Sequence, residues 1–140
     1  MSETTEDKKD KGVDVLVGGW FTVSMLLWLA VAVAGFFQFG ITVDGLSAVG
    51  LNALIFFSLV VFFARITDRR SDSDNAGAFR FFYFLNGMVG VLAVFHFGGL
   101  FVENSSWLRE FVYFVLYGLI SLFNFWYISK VKKYLLNTDR

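Results

Sequence analysis

Four side chains able to make strong hydrogen bonds stand inside otherwise apolar stretches of this chain: Asn52, Asn86, His96 and Asn124. In hydrocarbon such a group is costly until it is bonded, so it serves either to join helices or to meet a polar ligand. At 1.5 Å per helical residue, Asn86 and Asn124 fall roughly 10 Å in from one end of their helices, an inner pair. Asn52 and His96 lie a similar depth from the opposite end, an outer pair. The asparagines read first as interhelical glue, and all four side chains should face the interior of a bundle. His96, the single histidine, reads either as a hydrogen-bonded interior imidazole or as a protonatable, headgroup-contacting site, because imidazole can change charge near neutral pH.

Catalysis is not expected from this set. The hydroxyls inside the apolar runs are Thr22, Ser24, Ser47, Ser58 and Ser121, and with no buried Asp or Glu to orient His96 no nucleophilic triad can be assembled. Every acidic residue falls in a tail, a loop or at a boundary, with Asp14 and Glu110 nearest to lipid, which also argues against proton-driven antiport. Cysteine is absent, and a lone histidine with no carboxylate at ligand spacing builds no typical metal site, so neither metal nor cofactor is expected. The formal net charge is zero, which gives nucleic acid no electrostatic footing.

The elements that must hold these residues follow from hydropathy. The 140-residue chain is 56% apolar and 20% aromatic, well above soluble usage. Four long apolar runs, at about 13–39, 46–66, 79–102 and 107–130, each suffice to cross a hydrocarbon core of about 30 Å. Transmembrane β-strands would need segments of about ten residues with alternating polarity, which these runs lack. The expected fold is therefore all-α, an integral membrane four-helix bundle over 13–133, flanked by a disordered tail at 1–12 and a short one at 134–140. A polar connector, 67–78, joins the second helix to the third, and Ser105 or Ser106 is placed to cap the fourth.

Lys and Arg set the orientation, since they are retained on the cytoplasmic side. Every one of them except Arg109 lies in the tails, at the helix ends beside them or in the middle connector, which predicts both termini inside. Trp20, Tyr83, Trp126, Tyr127 and Tyr134 are then expected near the inner interface and Trp107 at the outer one. The cationic rim Arg65, Arg69, Arg70, Arg80, Lys130, Lys132 and Lys133 sets topology and could also hold an anionic lipid phosphate. Gly87, Gly90 and Gly118, with the Ala30 and Ala34 pair, suggest close helix packing.

The chain reads as two halves of related design: Val15 and Phe84 each open an apolar helix with early glycine, followed by an outer turn and a helix ending in basic residues. Both halves enter from one side, so the repeat is parallel. Leu16-Val17-Gly18-Gly19, the Phe79-Arg80-Phe81-Phe82 opening of the second half, and Asn124-Phe125 before the basic exit together resemble the GtrA-like family of small four-helix membrane proteins. The second helix departs from that pattern, with Phe62-Phe63-Ala64-Arg65 where Asn-Phe is expected. The resemblance implies translocation of a polyprenyl-phosphate-linked sugar for cell-envelope glycosylation in the plasma membrane. It also implies a polyprenyl-phosphate glycosyltransferase as partner, with the rim holding phosphate and Asn86 and Asn124 meeting the headgroup. Two other readings stay open: a noncatalytic accessory or scaffold subunit, and a small channel formed by a homo-oligomer.

Overall fold

The computed structural model describes residues 5–67 and 75–138. It contains four helices, α1 (Thr5–Phe39), α2 (Val43–Thr67), α3 (Asn75–Gly99) and α4 (Trp107–Thr138), with no strand among the described residues. All four are long and apolar enough to cross a membrane, over stretches of 23 to 29 residues. The chain is a multi-pass membrane protein built as an all-α four-helix bundle.

Along its central apolar stretch each helix presents apolar residues outward, as lipid demands of a face that water would have made polar. What distinguishes the inward face is spacing and shape. On α4 the buried residues Glu110, Tyr113, Tyr117, Ile120, Asn124, Ile128 and Val131 recur at intervals of three and four, the seam of a helix packed along its length. On α1 the corresponding column is Trp20, Ser24, Trp28 and Val31. Leu26, Leu29, Phe37, Val94 and Leu122 point outward and are exposed.

Sequential helices pack side by side and α4 closes back on α1, while the diagonal pairs meet only through long side chains, Trp20 against Phe82 and Tyr117 on Asn52. Neighbours run antiparallel. Trp20 meets Phe63 while Trp28 meets Phe56, and Tyr127 bonds Leu16 while Tyr117 edges onto Trp28. Both chain ends therefore emerge at one end of the bundle, here the terminal end, with the two short turns at the other. The same pairings set Ser24, Leu59, Val89 and Ile120 at one level, all buried. This layer, apolar except for the Ser24 hydroxyl, separates the polar groups near the terminal end from those near the turn end.

The turns follow local chemistry. Gly40, with φ of 61°, ends α1 in the left-handed conformation that glycine adopts without a Cβ penalty. Its N–H donates to Phe36 O at 2.9 Å. Thr42 then caps α2, its Oγ1 accepting from Gly45 N at 3.1 Å. After α3, a run of tight i to i+3 bonds from Leu100, Phe101 and Val102 closes the chain. Ser106 occupies the N-cap position of α4, its carbonyl accepting from Glu110 N at 3.1 Å. Ser105 instead bonds backward, its hydroxyl donating to Gly99 O at 2.6 Å.

Three expected boundaries move. Helix α1 begins at Thr5, so the stretch expected to be a disordered tail is helical from there onward, because nothing between Thr5 and Lys11 breaks a helix. Likewise α4 continues to Thr138 rather than stopping at its basic exit, and α3 starts at Asn75, taking up part of the expected connector. A helix propagates past its apolar run until a breaker intervenes.

Candidate functional site

Three arrangements stand in this scaffold. Near the terminal end, Trp20, Asn86 and Asn124 form one buried cluster. Trp20 Nε1 donates to Asn124 Oδ1 at 2.9 Å, Asn124 Nδ2 donates to Asn86 Oδ1 at 3.1 Å, and Asn86 Nδ2 donates to Ser121 O at 3.0 Å. The expected inner pair thus meets directly. It is bonded within itself across α1, α3 and α4, which suits a clamp better than a headgroup ligand. Trp20 was expected at the interface; it is 1% exposed, stacked on Phe63 at 4.1 Å between centroids, because its N–H has a partner inside the bundle. Tyr127 also turns inward, donating to Leu16 O at 2.8 Å, while Trp126 stays outside with Lys130 Nζ 3.8 Å from its ring centroid.

Between α2 and α3 runs an apolar groove of about 630 Å³, lined by residues that include Leu54, Ser58, Phe84, Gly87 and Met88. Gly87 belongs to this groove and not to a tight contact: a Cβ added there would meet nothing within 4 Å, and the same holds for Gly118. Gly90 does pack closely, since a Cβ added there would come within 3.3 Å of Ser121 Oγ. Toward the terminal end the groove is followed by the Phe62 and Phe81 ring pair, 4.4 Å between centroids. One turn beyond Phe62 lies Arg65, and Arg80 adjoins Phe81; both are exposed. Lys130, Lys132 and Lys133 are exposed at the same end on α4. Arg69 and Arg70, the remaining members of the predicted rim, lie outside the described residues.

The turn end holds the arrangement that sequence reasoning missed. Glu110 is buried at 8% exposure and accepts from His96 Nδ1 at 2.7 Å. Its other oxygen accepts from Arg109 Nε at 2.8 Å and Nη2 at 2.6 Å. The expectation that no buried carboxylate could orient His96 is therefore corrected. Glu110 sits one turn into α4, and its i, i+3, i+7 register with Tyr113 and Tyr117 was the available clue. Gly99 makes room for it, since a Cβ there would come within 2.8 Å of Glu110 Oε2. The His96 ring stacks on Tyr113 and Tyr117 at 4.9 and 5.7 Å, and Tyr117 Oη donates to Asn52 Oδ1 at 2.9 Å. The outer pair is thus joined through Tyr117. His96, Tyr113, Tyr117 and Asn52, with Gln38 of α1, line a partly open hollow of about 180 Å³.

A carboxylate on Nδ1 fixes the imidazole tautomer, leaving Nε2 of the neutral ring as an acceptor. Among the described residues no group of three or more metal-ligating side chains converges. No family model, curated protein or solved structure matches this chain.

Proposed function

We propose that this protein binds a polyprenyl-phosphate-linked sugar and moves it across the plasma membrane for envelope glycosylation. The observation that carries the reading is the apolar groove between α2 and α3 that leads to Arg65 and Arg80. An isoprenoid chain is apolar, long and narrow, and matches a lipid-facing groove. A phosphate at its end matches guanidinium groups at the membrane surface, where charge-assisted bonds form without deep desolvation. The cationic bias of the terminal end puts both termini in the cytoplasm by the positive-inside rule. Loading then takes place on the cytoplasmic side, where a polyprenyl-phosphate glycosyltransferase is the fitting supplier. Asn86 and Asn124 enter this reading as the clamp that holds α3 and α4 together behind the groove.

The test is translocation in proteoliposomes of a polyprenyl-phosphate hexose carrying a fluorescent NBD group, with dithionite bleaching whatever reaches the outer leaflet. Wild-type protein should bleach the inner-leaflet pool. The Arg65→Gln/Arg80→Gln double variant should slow this about tenfold or more, the worth of one charged hydrogen bond. Bleaching no faster than in protein-free vesicles would count against translocation.

A further inference from the structure

We propose that a hollow between α1 and α4 at the turn end binds the phosphate of a lipid in the leaflet on that side. It lies on the flank opposite the groove of α2 and α3, measures about 450 Å³, and has Gln38, Ser106, Arg109 and Tyr113 as its polar lining residues. Gln38 is the second-last residue of α1 and Arg109 the third of α4, so the hollow sits at the ends of the spans, the depth of lipid headgroups. Arg109 is the single Lys or Arg of the turn end. The positive-inside bias disfavours a cation there, which calls for a role other than topology.

The donors left unused define the ligand. Nε and Nη2 of Arg109 both donate to Glu110 Oε1, while no hydrogen bond among the described residues uses Nη1. A guanidinium carries five N–H donors, so with one edge on Glu110 its other edge can take a second anion. The Gln38 amide nitrogen, the Ser106 hydroxyl and the Tyr113 hydroxyl also lack a partner among the described residues. The first and last of these keep accessible surface, and Ser106 is exposed. Each group can donate, and a lipid phosphate presents several strong acceptor oxygens. Glu110 does not close the site to an anion. It is buried, it is shared between Arg109 and His96, and it is not part of the wall. The hollow therefore meets the guanidinium and not the carboxylate, and the first turn of α4 adds the positive end of a helix dipole. The rest of the wall is apolar, Ala34 and Phe37 of α1 with Leu108 and Val112 of α4. Phe37 and Leu108 are 83% and 66% exposed, which suits the first carbons of the lipid's chain.

This site stands apart from the translocation reading, which uses the other flank and the other end. The full chain in maltoside micelles free of phospholipid, labelled with 15N-histidine, reports on it through the single histidine, which shares Glu110 with Arg109. Titration with hexyl phosphate should shift the His96 spectrum saturably. Hexanol should give no saturable shift, and inorganic phosphate, lacking a chain, should bind about tenfold more weakly or worse. Gln38→Leu and Ser106→Ala, which leave the pair of Arg109 and Glu110 in place, should each weaken binding about tenfold. Arg109→Lys keeps a cation for Glu110 but loses the second guanidinium edge, and should weaken it as much. All three are checked for native helicity; Ser106 is exposed, so its variant decides the matter if another fails to fold. Arg65→Gln/Arg80→Gln should leave the titration unchanged. The site is refuted if hexyl phosphate gives no saturable shift, if hexanol matches it, or if the folded variants of Gln38, Ser106 and Arg109 all keep full affinity. Inorganic phosphate binding as tightly as hexyl phosphate would refute a lipid as the ligand. Loss of the shift in Arg65→Gln/Arg80→Gln would put the phosphate at the opposite end and overturn the proposal.

Discussion

Glu110 changes what His96 is. An imidazole held by a carboxylate on one nitrogen has a fixed tautomer and a fixed orientation, and that carboxylate is itself held by Arg109. Glu110→Gln should release the tautomer, so the 15N spectrum of His96 should change from a single Nδ1–H form to a mixture. The uncompensated Arg109 should also cost about 1–3 kcal/mol of stability, measured by unfolding in mixed detergent micelles. Asn124→Leu removes two bonds at once and leaves the buried Trp20 N–H without an acceptor. It should destabilise the bundle by roughly 1–3 kcal/mol in the same assay. Depth counting found the asparagine pair in the sequence, because two polar residues equally far into neighbouring antiparallel helices come within reach of each other when both avoid lipid. The same counting set Glu110 aside as a boundary residue, since nearness to water is legible from position while the direction of a side chain depends on how α4 is rotated. Trp20 was misplaced for the same reason: a tryptophan near a helix end reads as an interfacial anchor until its donor is seen to bond Asn124.

The four helices were legible as apolar runs because the solvent outside them is lipid, and hydropathy reports solvent. Their ends were less so: α1 and α4 continue as helix into charged sequence, where hydropathy falls silent and only the absence of a breaker speaks. The groove between α2 and α3 was not visible at all, because an outward-facing leucine and a groove-lining one have the same polarity. Gly87 tests the groove as a structural element. With nothing within 4 Å of an added Cβ, Gly87→Leu should fold normally and fill the groove, lowering translocation of the labelled lipid while leaving unfolding unchanged or slightly improved. Gly99 is the opposite case. Gly99→Ala would press on Glu110 at 2.8 Å and should destabilise by about 1–3 kcal/mol, with the His96 spectrum reporting the displaced carboxylate.

For the molecule as a whole, an even number of antiparallel helices brings both chain ends to the same side, and the distribution of Lys and Arg predicts which side that is. The natural chain has no cysteine, so single introduced thiols report topology without background. Lys132→Cys should resist a membrane-impermeant maleimide in intact cells and react after permeabilisation, while Glu103→Cys in the opposite turn should react at once. The bundle has polar clusters at both ends and a packed layer of Leu59, Val89 and Ile120 between them, which blocks a continuous path through one copy and directs attention to its flanks. The central claim is that a phosphorylated isoprenoid lies on one such flank, and photocrosslinking tests it most directly. A diazirine-bearing polyprenyl phosphate activated in proteoliposomes should label Leu54, Phe84 and Met88 in the groove well above Leu119 and Leu122 on the lipid-facing side of α4. Labelling spread evenly over both faces, unaffected by Arg65→Gln/Arg80→Gln, would contradict it.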